Sequence, residues 1–98
     1  MNANAATVLR NWGCTDAEIV GILRPDEPDA DDRAGVIHDL DDLLAATFDN
    51  PENRTRFPHL VNHNAPFGGR SLIGSLIGAD VAQFRRAYDA LGHGFGRW

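Results

Sequence analysis

Apolar residues recur at helical spacing along most of this chain, and turn residues break the pattern into short pieces. Val8, Leu9 and Trp12 have the i, i+3/i+4 spacing of a first helix, which Gly13 stops as a glycine just past a helix end would. Thr15-Asp16-Ala17-Glu18 is a capping box: the threonine hydroxyl can accept from a first-turn N–H while Glu18 reaches back. It opens a second stripe, Ile19, Ile22 and Leu23, which Pro25 ends. Val36, Ile37, Leu40, Leu43, Leu44 and Phe48 then hold a helical period from about Ala30 to Phe48. That predicts the longest helix, the spine of the fold, with Asp39, Asp41 and Asp42 on its outer face.

Asn50-Pro51 signals another helix start, running to about Phe57 and broken at Pro58. Residues 58–70 carry turn chemistry throughout. Ser71 is placed to cap a short helix, Leu72 to Ile77, ended at Gly78. Asp80 is placed to cap the last one, with Val81, Phe84, Tyr88 and Leu91 buried and Arg85, Arg86 and Asp89 wet. Residues 92–98, with three glycines, read as a flexible end carrying Phe95 and Trp98. No stretch keeps strand alternation. The pattern predicts an all-α bundle of about six helices.

With 98 residues, 43% of them hydrophobic, the chain suits one domain, or one domain with an arm, around a single core. Cys14 is the one cysteine, which excludes an internal disulfide framework and a cysteine metal cage. No apolar run approaches the ~20 residues of a membrane span, and no basic segment leads into an apolar leader. An intact cytoplasmic protein without membrane contact is the expectation.

Charge divides the chain. All nine bases are arginine, and the net charge is −5. Residues 16–52 carry twelve acids and two arginines, net −10; residues 53–98 carry two acids and six arginines, net +4. Phosphate-backbone binding draws its affinity from neutralised phosphates, so the first half is hostile to nucleic acid. The second half alone suits an anionic partner.

No set of residues supplies a nucleophile, a base and an orienter together, so an enzyme is not expected. His59 and His63 have H-x₃-H spacing, but Pro58 and Pro66 put them on a loop without an evident third ligand; no metal or other cofactor is expected. Cys14 lies near a helix start, where thiol pKa values fall, yet a small buried residue is the plainer reading. Gly68-Gly69-Arg70-Ser71 precedes a helix and is placed to cradle an anion with outward backbone N–H groups. Phe67, Phe95 and Trp98 sit on glycine-rich segments that form no core alone. Two readings stand: they are interface anchors beside arginines, or Phe67 tucks under its loop and Trp98 folds back on the last helix.

Residues 51–94 resemble the C-terminal toxin-binding domain of the Xre/MbcA/ParS antitoxin family. The matches are Phe57, Asn62 or Asn64, Gly69-Arg70-Ser71-Leu72-Ile73, Gly78 and Leu91-Gly92. Residues 8–23 resemble the opening of the family's helix-turn-helix part. Phe57 stands where the family has tryptophan, Leu72 where it has proline, and Gly74 where it has an acid. The resemblance implies a short N-terminal helical region over residues 1–28 with its DNA-binding function lost or vestigial, and a toxin-binding domain over 29–98. It implies an antitoxin that binds a cognate toxin, usually a RES-domain enzyme acting on NAD, and that is commonly a homodimer with the Ala30–Phe48 helix as a candidate seam. The toxin-binding residues would be Phe67, Gly68, Gly69, Arg70, Phe95, Arg97 and Trp98, with Arg97-Trp98 plugging the toxin's site. An autorepressor that binds DNA and a stand-alone helical adaptor are the rival expectations.

Overall fold

A computed structural model describes residues 4–63 and 65–94. Among them are six α-helices: α1 (Ala5–Asn11), α2 (Asp16–Leu23), α3 (Ala30–Thr47), α4 (Pro51–Arg56), α5 (Leu72–Leu76) and α6 (Val81–Gly94). A 3₁₀ turn over Phe57–His59 continues α4, and the one β-feature among the described residues is an isolated antiparallel bridge between Asn62 and Arg70. The all-α expectation holds. No helix among the described residues is long and apolar enough to cross a membrane.

Local chemistry sets most of the boundaries. Asn4 caps α1 by accepting from the Thr7 N–H at 2.8 Å. The end of α1 is a Schellman closure: Gly13 N–H donates to Arg10 O at 2.9 Å and Cys14 N–H to Leu9 O at 3.0 Å, with Gly13 at φ +91°. Both bonds of the expected capping box form at α2, Glu18 N–H to Thr15 Oγ1 and Thr15 N–H to Glu18 Oε1. Asn50, Ser71 and Asp80 accept from backbone N–H groups at the starts of α4, α5 and α6.

α3 is the spine, packed against α6, α1 and α2. Its inward face, Val36, Ile37, Leu40 and Leu44, meets Val8, Leu9 and Trp12 of α1, Ile19 and Ile22 of α2, and Phe84, Ala87 and Leu91 of α6 in one core. Residue 28 falls in the loop between α2 and α3, and residues on both sides of it contribute to that core. The last helix departs from its expected end: α6 continues through Gly92 to Gly94, with Gly92 lying beside the Leu43 side chain and the His93 ring hydrogen-bonded to Asp89 O at 2.8 Å.

Two polar residues take places that periodicity does not show. Asp41, expected on the outer face, is half-buried and accepts from the indole N–H of Trp12 at 3.0 Å, so an otherwise unmade bond in the core is satisfied. Arg33 is 2% exposed. Its Nε donates to Asp29 at 2.8 Å, Nη1 donates to Ala79 O, and the guanidinium lies 5.3 Å from the centre of the Phe84 ring. One side chain thus ties the start of α3 to the α5–α6 junction. Asp29, at the N-cap of α3, makes no side-chain cap bond and accepts from Arg33 instead.

Truncation of Arg33 leaves the buried Ala79 carbonyl unpaired and a gap over Phe84. Arg33→Ala is therefore expected to cost about 2–4 kcal/mol and to lower Tm by more than ~10 °C, read by thermal circular dichroism. Arg33's hydrogen bond, helped by its charge, holds the Asp29 carboxyl below its ordinary value of 3.8. A lowered carboxyl pKa means the unfolded chain binds more protons in that window, so the contribution is present above the ordinary value and is lost as pH falls through the lowered one. Denaturation across pH 2–5 is expected to show a flatter acid limb for Asp29→Asn than for the wild type.

Candidate functional site

The segment after α4 is built to hold a turn against the bundle. Asn62 N–H donates to Arg70 O at 3.0 Å, and Gly69 N–H returns to Asn62 O at 2.8 Å. Arg70 N–H closes a four-residue turn onto Phe67 O at 3.1 Å. The central residues of that turn, Gly68 and Gly69, have φ +59° and +96°, the left-handed pair that a type I′ turn requires. The two glycines are there because side chains would be strained at both positions.

Phe67, just before them, is 2% exposed and belongs to the core. The structure therefore agrees with the reading in which Phe67 tucks under its loop: it anchors the turn and does not project as a contact. Of the backbone N–H groups around the expected cradle, that of Gly69 is spent on Asn62 O, that of Arg70 on Phe67 O, and those of Gly74 and Ser75 on Ser71. Gly68 and Arg70 are exposed and Gly69 half-buried, while Phe95, Arg97 and Trp98 lie outside the described residues, as does Asn64.

Beside the turn is a partly enclosed cleft of about 370 Å³ between the 66–70 segment, α5 and α6. Phe67 and Ala87, both buried, give it an apolar lining; Pro66 and Gly68 form its exposed side. Its polar groups are Arg70, Ser75 of α5, and Gln83 and Arg86 of α6. Gln83, Arg86 and Ala87 share one face of α6 by i, i+3, i+4 spacing. Sequence reasoning reached Arg70 but read Arg86 only as part of a wet face and passed over Gln83 and Ser75. The available signal was that one side of the last helix carries a base and an amide but no acid.

The arginines fall into two groups. The three of the first half, Arg10, Arg24 and Arg33, are each paired with a carboxylate, on Asp16, Glu27 and Asp29. Among the described residues, no ion pair forms at Arg54, Arg56, Arg70, Arg85 or Arg86. No acid among the described residues lines the cleft. Among the described residues, the arginines without an ion pair thus lie in the second half, and two of them line one concavity.

The other candidates have structural employment. His59 Nε2 donates to Trp12 O at 2.6 Å, a bond that fixes the tautomer because a carbonyl can only accept. The same contact explains Gly13 a second way, since a Cβ there would lie 3.0 Å from the His59 ring nitrogen. Cys14 is buried, and its environment reverses the helix-start expectation: burial, and secondarily the Glu18 carboxylate, push the thiol up to about 11. No group of three or more His, Cys, Asp or Glu among the described residues is placed to hold a metal ion.

No protein-family model, curated protein or solved structure matches the chain.

A thiol held protonated and buried reacts slowly, because the thiolate is the nucleophile. Cys14 is expected to resist a disulfide-exchange reagent such as DTNB at neutral pH in the folded protein and to react fully in guanidinium. Rapid titration of the native protein would contradict this environment.

Proposed function

We propose that the chain is an antitoxin that neutralises a cognate toxin by direct binding and occlusion of its active site. Two things support the reading: the resemblance of residues 51–94 to an antitoxin's toxin-binding domain, and a second half whose exposed arginines, among the described residues, make no ion pair. The observation that carries most weight is the turn at 67–70. Phe67 locks it onto the core and Arg70 is exposed and lines the same cleft as Arg86, so a partner meets a preorganised cationic surface and little is lost in ordering it.

In this proposal the partner is a RES-type enzyme acting on NAD. Gly68, Gly69 and Arg70 form one contact. Phe95, Arg97 and Trp98 form the other, with the indole taking the place of a flat ring. The protein works in the cytoplasm, without a cofactor and without chemistry of its own. The autorepressor reading fits less well, because α3, which follows α2 in the position of a recognition helix, exposes Asp31, Asp32, Asp39 and Asp42. The proposal includes a homodimer. Its seam does not suit the outer face of α3, where those acids would meet their copies; Val20 of α2 and Ile77, neighbouring exposed apolar side chains, suit it better.

The test is co-expression with a RES-type toxin encoded beside the chain's own gene, scored by growth and co-purification. The full chain is expected to rescue growth, deletion of residues 95–98 to abolish rescue, and Arg70→Glu to weaken co-purification. Failure of the full chain to rescue overturns the antitoxin reading; rescue by the truncated chain overturns the plug. Light scattering of the free protein is expected to give twice 10.7 kDa, and a monomer mass removes the dimer alone.

A further inference from the structure

The cleft between the glycine turn and α6 has an unusual donor set. Arg70 and Arg86 line one space that no described acid lines, and neither side chain makes an ion pair or hydrogen bond with a described residue. Like charges brought together repel, and a bound anion relieves that repulsion. Two cations match the charge of a phosphate monoester, which is nearly doubly negative at neutral pH; a carboxylate would leave one cation unanswered.

Ser75 narrows the class. Its hydroxyl proton is committed to Leu72 O at 2.8 Å, so toward the cleft Oγ can only accept. A ligand that fits therefore carries a hydroxyl donor as well as an oxyanion. Gln83 adds an amide able to both donate and accept, and Phe67 and Ala87 give a small apolar surface for a carbon skeleton. The cleft's 370 Å³ lies in the range of small-molecule sites, about 300–1,000 Å³.

We infer that the Arg70–Arg86 cleft binds a small polyol or sugar phosphate monoester: the guanidinium groups hold the phosphate, and Ser75 and Gln83 read a hydroxyl. This inference does not rest on the antitoxin reading. Ligand binding by the free chain can fail while toxin rescue holds, and the reverse.

The test is an NMR titration of the full chain with ribose 5-phosphate, alongside inorganic phosphate, ribose and sodium chloride of matched ionic strength. Saturable shifts are expected at the Gly68–Arg70 and Gln83–Ala87 amides and at the Nε–Hε signals of Arg70 and Arg86. Ribose 5-phosphate should bind more tightly than inorganic phosphate, and ribose alone should not bind. Arg70→Gln and Arg86→Gln are each expected to weaken binding by about tenfold or more, the loss of a charged hydrogen-bonding partner. Ser75→Ala should narrow the gap between the sugar phosphate and inorganic phosphate. Arg70→Lys and Arg86→Lys, which keep the charge and lose the planar fork, should weaken binding less than the glutamine variants and serve in their place if those do not fold. Shifts that sodium chloride reproduces, shifts confined to other surfaces, or affinity unchanged in the arginine variants would overturn the site. Tighter binding of a single-stranded oligonucleotide than of ribose 5-phosphate would overturn the ligand class.

Discussion

A guanidinium cannot be discharged inside a protein, so the burial of Arg33 obliges the structure around it to supply acceptors. Asp29 supplies one from the start of α3, Ala79 another from the α5–α6 junction, and the Phe84 ring covers the flat face. Asp29 lies four positions before Arg33, whereas Ala79 and Phe84 lie far along the chain and meet it only when α6 lies along α3. The apolar stripes alone would allow those helices to slide or rotate past each other at modest cost. A buried charge with directional bonds penalises such alternatives, because each strands a cation or a carbonyl away from water. The apolar stripe of Phe84, Ala87 and Leu91 sets which side of α6 faces in, and Arg33 pins its register on α3.

That register links the interior to the surface. With Phe84 under Arg33 and Ala87 and Leu91 in the core, Gln83 and Arg86 come to the side that borders the glycine turn. The turn is held independently, by Phe67 in the core and by the Asn62–Arg70 bridge. Arg70 and Arg86 therefore line one cleft from two separate attachments to the core. Most of the acids lie in the first half, where three pair with its arginines and Asp31, Asp32, Asp39 and Asp42 face water from α3. The fold keeps its charges apart, and a surface with unanswered cations is the result.

Much of this architecture is legible in the sequence because it depends on neighbours within four or five residues. The capping box at Thr15, the glycine stop at Gly13, the Asn50-Pro51 start and the apolar stripe of α3 are local physics and appear where the pattern predicts them. The departures come from long-range partners. Asp41 leaves the wet face for an indole 29 positions away, and Arg33 reaches a carbonyl 46 positions away. A helical period reports which face a residue is on, but not whether a charged group there has found partners. The glycine turn shows the same limit: its turn chemistry is legible in the sequence, while the commitment of the Gly69 N–H depends on a bridge to Asn62. The cleft went unseen as a unit because its polar groups belong to three separate segments.

The arginine side chains themselves give the most direct measurement. In an ¹⁵N-labelled sample, the Nε–Hε signal of Arg33 should be shifted by the Phe84 ring and exchange slowly with solvent, while those of Arg70 and Arg86 exchange fast at the same pH. An Arg33 signal that exchanges as quickly as the other two would mean that its guanidinium is in water, and the register argued from it would fail.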